Sequence, residues 1–123
     1  MTIHYGNLSY YDDCPGAEGG ACGDCDNNAM HVAYTNLLTG CIFEDCAELC
    51  NKSCGDNIHI INQCTDDEGY VYVHDCYPQQ AQHCNNASPC SSQTPYLVDL
   101  TEGAFLALGG VLSEGKFACR LVC

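Results

Sequence analysis

Three kinds of side chain in this sequence can carry chemistry: sulfur, carboxylate and phenol. Cysteine fills 13 of 123 positions. That density exceeds the roughly 8–10% typical of secreted scaffolds held by disulfides. Cys22-Gly23-Asp24-Cys25 has the C-x-x-C spacing of redox and zinc sites. Neither a thioredoxin-like βαβ unit nor a second close ligand pair accompanies it, so both sulfurs are read as structural disulfides. Thirteen is odd, and six bridges leave one cysteine free, buried or joined to another molecule. Among the carboxylates, Asp99 ends an apolar run two residues before Thr101, a helix-capping residue. Its side chain would project at a strand-to-helix junction beside free backbone N–H groups. Asp75 precedes Cys76 at the end of a second apolar run. Eight tyrosines complete the set. Their ring faces suit stacking on the C–H faces of sugars, with the phenol as a hydrogen bonder at the rim.

Other constellations are read as structural. The acid clusters Asp12-Asp13, Glu44-Asp45 and Asp66-Asp67-Glu68 lack the spaced ligands of a calcium loop and fit solvated turns. His4, His31, His59, His74 and His83 form no H-x-x-x-H or H-E-x-x-H pattern, so no metal and no cofactor are expected.

Sixteen acids against three bases (Lys52, Lys116, Arg120) give a net charge of −13. Nucleic acid and other polyanions are disfavoured partners, whereas a neutral polymer is compatible. No stretch reaches the ~20 apolar residues of a membrane span, so no membrane partner is expected. The N-x-S triplets at Asn7, Asn51 and Asn86 are candidate glycan acceptors and agree with export. No leader is visible, and Met1 is read as standing in place of a removed one. The expectation is a secreted, extracellular chain forming one domain over 1–123.

The elements that would position these groups follow from periodicity. Short strands are expected at 2–5 and 8–11, separated by Gly6-Asn7. Met30, Ala33, Tyr34, Leu37 and Leu38 fall at helical spacing, predicting a helix capped by Asn27 or Asn28 and ended by Gly40. Strands are expected at 58–61, 69–74, 96–100 and 117–122. In 69–74, Val71 and Val73 face one side, and Tyr70, Tyr72 and His74 the other. Residues 77–95 read as a polar loop closed by its own bridge. A short second helix at 104–108 is capped by Thr101 and stopped by Gly109-Gly110.

Several segments, in order, resemble the double-psi β-barrel of the barwin, expansin and family-45 endoglucanase group. They are Gly19-Gly20-Ala21-Cys22-Gly23, Val71-Tyr72-Val73-His74-Asp75-Cys76-Tyr77-Pro78 and Val98-Asp99-Leu100-Thr101-Glu102-Gly103-Ala104-Phe105. The fold implied is mainly β: a small, disulfide-rich, six-stranded double-psi β-barrel with two short helices. In the family-45 hydrolases the aspartate of the last motif is the proton donor, so the resemblance makes Asp99 the general acid. An inverting hydrolase needs a second carboxylate ~6.5–9.5 Å away. Ser9-Tyr10-Tyr11-Asp12-Asp13-Cys14 aligns with the segment that carries it, implying Asp13, or Asp12, as base. Alternatively Ile3-His4-Tyr5-Gly6 matches an expansin start and no base exists. The Arg and Trp of the hydrolase segment are missing, and the chain has no Trp. The resemblance also sets Tyr5, Tyr10, Tyr11, Tyr72, Tyr77 and Asp75 near the substrate groove, with Asp75 close to Asp99.

The function implied is a secreted polysaccharide-binding protein of expansin or barwin type. It would act on a β-1,4-linked glucan such as cellulose, or on a chitin-like polymer, with little or no hydrolysis. One alternative is a compact inverting endo-β-1,4-glucanase using Asp99 and Asp13. The other is a non-catalytic extracellular defence or signalling protein. The odd cysteine offers an intermolecular contact.

Overall fold

Alternating apolar residues drive the architecture. The computed structural model describes residues 2–11, 22, 26–34, 49–76 and 96–123. Six strands occur in it: β1 (Ile3–Tyr11), β2 (His31–Tyr34), β3 (Asn57–Asn62), β4 (Glu68–Cys76), β5 (Tyr96–Thr101) and β6 (Lys116–Val122). They close in the order β1-β5-β2-β4-β3-β6, so the sheet has no free edge. Pairs β1/β5 and β2/β4 are parallel and the other four are antiparallel.

Every strand sends alternate side chains into one core. Leu8, Val32, Tyr34, Ile58, Ile60, Val71, Val73, Val98, Leu100 and Leu121 are each 0–1% exposed. As the alternation predicts, Val71 and Val73 are inside, while Tyr70 and Tyr72 are exposed on the other face. Helix α1 (Glu102–Ala107) adds buried Ala104 and Phe105. Thr101 caps it, its hydroxyl accepting from the Ala104 N–H and donating to the Ala29 carbonyl. Gly109 ends it at φ +82°, a conformation that favours glycine.

Two sequence expectations fail here. Residues 31–34 form strand β2 rather than helix, with β4 on one side and β5 on the other. Val32, Ala33 and Tyr34 are all buried, and a strand covered on both faces loses its period-2 signature. The apolar residues at 30, 33 and 34 then imitate a helical face. The remainder of that expected helix and the 77–95 loop lie outside the described residues, which contain one helix. Gly6-Asn7 is not a turn either: β1 runs through it unbroken, paired to Cys119 and Ala118 of β6.

Disulfides tie the barrel. Cys22 bonds Cys54 and Cys50 bonds Cys123, and Cys64 is also disulfide-bonded. Cys22 therefore has a partner other than Cys25, consistent with a structural role. Cys119 is a free thiol, 1% exposed inside the barrel. It lies out of reach of another molecule, so the intermolecular contact expected of the odd cysteine does not fit this residue.

Burial pushes the Cys119 thiol from an ordinary 9.0 up to about 12. The unfolded thiol ionises first, so this stabilising contribution is complete below pH 9 and is lost as pH rises towards 12. Iodoacetamide at pH 8 should leave Cys119 unmodified in the native protein and alkylate it once guanidinium unfolds the chain, as read by mass spectrometry. Thr101→Ala removes a cap and leaves the Ala29 carbonyl without its donor. It should lower the unfolding free energy by about 2–3 kcal/mol. Thr101→Ser should recover most of this, as measured by urea denaturation under non-reducing conditions.

Candidate functional site

Strand register carries the barrel's polar outer face. Leu8, Val98, Leu100, Val32 and Tyr34 point inward, so Ser9, Asp99 and Ala33 alternate outward. Ser9 pairs with Asp99 across β1/β5, and Asp99 pairs with Ala33 across β5/β2. In β4 the register shifts between Val73 and Asp75, so Asp75, and not His74, pairs with Ala33. This bulge has a clear consequence, since inserting one residue re-aims a strand beside a site. The row continues the other way, because Ser9 pairs with Lys116 of β6. Lys116, Ser9, Asp99, Ala33 and Asp75 thus occupy one register row across five adjacent strands.

Within the row the Ser9 hydroxyl donates to Asp99 Oδ1 at 2.8 Å, and both residues are half-buried. Ala33 is small and 4% exposed, so the surface between the two aspartate positions is low. Neighbouring strands lie ~4.8 Å apart, which separates the Asp99 and Asp75 main chains by about 10 Å. The helix N–H groups expected to face Asp99 are used elsewhere. Gly103 donates to the Asn27 carbonyl and Ala104 to Thr101.

Aromatic groups flank the row unequally. Tyr72 is 43% exposed on β4, paired with His31 of β2. The His31 and His74 rings stack at 3.5 Å and 10° beside it. Tyr5 is 47% exposed on β1, on the same side as Ser9 and four residues before it. Tyr11, two residues beyond Ser9, also shares that side and pairs with Thr101. Tyr10 faces the opposite way. Its ring packs at 4.8 Å from Phe105, and its hydroxyl donates to the Leu112 carbonyl. Tyr10 is therefore a structural residue, contrary to its expected place in the groove. Asp12, Asp13 and Tyr77 lie outside the described residues.

The glycan-acceptor expectations divide similarly. Asn51 is exposed. Asn7 is 1% exposed in the middle of β1, leaving a folded barrel no room for a glycan on its amide. Asn86 lies outside the described residues. Among the described residues one cluster has metal-ligand composition: His4, Cys50 and Cys123, whose ligand atoms lie within 4.8 Å of one another. Its two sulfurs are joined to each other, so neither is a thiolate donor.

Sequence reasoning missed Ser9, Ala33, Lys116 and the histidine stack. Ser9 was within reach of strand alternation from Leu8, had β1 been read as continuous. The others depend on which strands become neighbours, which no local pattern states.

No protein-family model matches the sequence, and no functionally curated protein does. Solved structures do resemble it. An expansin from Clavibacter michiganensis superposes with a TM-score of 0.59 at 19% identity, covering 98% of this chain and 50% of its own. The chain thus spans about half the length of that expansin. A Streptomyces papain inhibitor superposes with a TM-score of 0.57 at 20% identity, covering 98% of this chain and 93% of its own. Both are double-psi β-barrels, and that is the fold of this chain.

The opposite orientations of Tyr10 and Tyr72 give distinct expectations. Tyr10→Ala should lower stability by about 2–3 kcal/mol through lost packing on Phe105. Tyr72→Ala, an exposed truncation, should stay within about 0.5 kcal/mol. Urea unfolding followed by near-ultraviolet circular dichroism checks both.

Proposed function

We propose that this chain is an extracellular polysaccharide-binding barrel that holds a β-linked glycan across the Ser9–Asp99–Ala33–Asp75 row, with little or no hydrolysis. The supporting observation is the Ser9–Asp99 hydrogen bond on the barrel's outer face, two strands from Asp75. The Asp99 carboxyl, which already accepts from Ser9, has further oxygen lone pairs for sugar hydroxyls. The exposed Tyr72 ring offers a stacking face beside the row, and the low Ala33 surface leaves room for a flat ring. Disulfides agree with export, and among the described residues no helix is long and apolar enough to cross a membrane.

The hydrolase alternative, with Asp99 as acid and Asp13 or Asp12 as base, requires that Asp99 release a proton to the leaving oxygen. A third reading has an observation of its own. A Streptomyces papain inhibitor shares this fold, so a barrel whose partner is a protein is the further reading.

One set of assays separates the three. The protein should sediment with insoluble cellulose or chitin, and Tyr72→Ala and Asp99→Ala should each weaken that binding by about tenfold. Carboxymethylcellulose should yield no new reducing ends. Sugar release abolished by Asp99→Ala would establish the hydrolase instead. Absence of glycan binding together with inhibition of papain would leave the protein-binding reading.

A further inference from the structure

A cleft begins where the outer row ends. Lys116, the row's last member, pairs with Ser9 on β1 and also lines a cleft of about 570 Å³. That volume falls within the ~300–1,000 Å³ of small-molecule sites. Asn7 and Ala118, paired across β1/β6 and only 1% and 4% exposed, line it too, together with Phe117, Val111 and Glu114. A ligand lying along the row therefore meets this cleft at Lys116.

Local structure fixes its walls. The Glu114 and Gly115 N–H groups both donate to the Val111 carbonyl, at 2.9 and 3.2 Å. Val111 and Glu114 thus stand at the first and fourth positions of a tight turn, with Cα atoms within ~7 Å. Both are exposed to solvent, so the lip is open to a ligand. Asn62 and Thr65 contribute a further part of the lining. The Asn62 amide donates to the Leu108 carbonyl at 3.0 Å and accepts from the Cys64 and Thr65 N–H groups. That side chain is spent on holding the wall, and the cleft is preformed.

We propose that this cleft is an acetamido subsite at the end of the row, so that the glycan is N-acetylated, an inference that rests on the glycan-binding reading above. An acetamide carries one N–H donor, one carbonyl acceptor and one methyl. The cleft offers a carboxylate acceptor in Glu114, an ammonium donor in Lys116 and apolar carbon in Val111, Phe117 and Ala118. An ammonium has three N–H donors, so Lys116 can serve the ligand carbonyl and keep its other contacts. Competing sugars match less well. A plain glucan brings only hydroxyls and leaves the apolar wall without a methyl partner. A uronate meets Glu114 within a protein of net charge −13. A deacetylated amino sugar sets a second cation beside Lys116 and against apolar carbon.

Titration of the ¹⁵N-labelled protein makes the subsite directly observable. N-acetyl-D-glucosamine should shift the amide signals of Val111, Glu114 and Ala118, and D-glucose should leave them in place. N-acetylchitotetraose should bind about tenfold more tightly than cellotetraose. Val111→Asn and Glu114→Ala, both on the exposed turn, should each bring the two affinities together. Unmoved amide signals, or a preference that survives both variants, overturns the inference. If a variant fails to fold, the titration of the unaltered protein decides. Equal binding of the two tetrasaccharides with a silent cleft sinks the subsite alone. Cleft shifts with N-acetyl-D-glucosamine but no binding of either tetrasaccharide keeps the acetamido site and sinks the glycan reading.

Discussion

Closure of six strands into one barrel couples the chemistry to the packing. The register that buries Val98 and Leu100 is the register that turns Asp99 outward, and the same holds for Leu8 with Ser9 and Val32 with Ala33. A slip of one residue in β5 or β1 would bring the Asp99 carboxylate or the Ser9 hydroxyl into an apolar interior. Such a slip is opposed by the loss of several fully buried side chains, each contributing about 1.5–3 kcal/mol. The outer row is thus held in place by residues buried in the core. In this structure the core is the positioning device.

Cross-links extend that control to the chain's ends and loops. Cys123, at the end of β6, is bonded to Cys50 across a sequence separation of 73. The Tyr34 hydroxyl, from inside β2, donates to the Cys50 carbonyl at 2.9 Å. Burial drives the Tyr34 phenol far above its usual range, so it remains a donor at any physiological pH. Strand β2, which carries Ala33 between the two aspartate positions, is therefore joined to the same segment that anchors the C-terminus. Cys119 differs from the bonded cysteines only in position. Directed inward among Leu121 and Phe117, it serves as a small apolar residue.

Legibility in the sequence followed exposure. Strand β4, with Tyr70 and Tyr72 on an exposed face, shows its alternation, and Thr101 with Gly109-Gly110 marks α1 because capping is local chemistry. Strand β2 was misread because both of its faces are covered, which removes the signal that separates strand from helix. The site was half legible. Asp99 stood out through its motif and junction, and Tyr72 through its strand. Ser9 and Lys116 acquire meaning only when β5 and β6 flank β1, a consequence of closure. Tyr10 was assigned to the groove by its neighbourhood in sequence, although its parity with Leu8 placed it on the inner side.

Fold alone does not choose between a glycan and a protein as partner, since one barrel hosts unrelated functions. Two of the three cations, Lys116 and Arg120, lie on the same outer side of β6, four residues apart, in a chain carrying 16 acids. Lys116 pairs in register with Ser9, which bonds Asp99, and Arg120 pairs with Tyr5. An extended polymer makes contact along such a row at several modest points, and each point is individually weak. Linking them through one continuous ligand raises the effective concentration of the second contact once the first has formed. On the glycan reading proposed above, the half-buried Asp99 carboxylate and the exposed Tyr72 ring are parts of one binding surface.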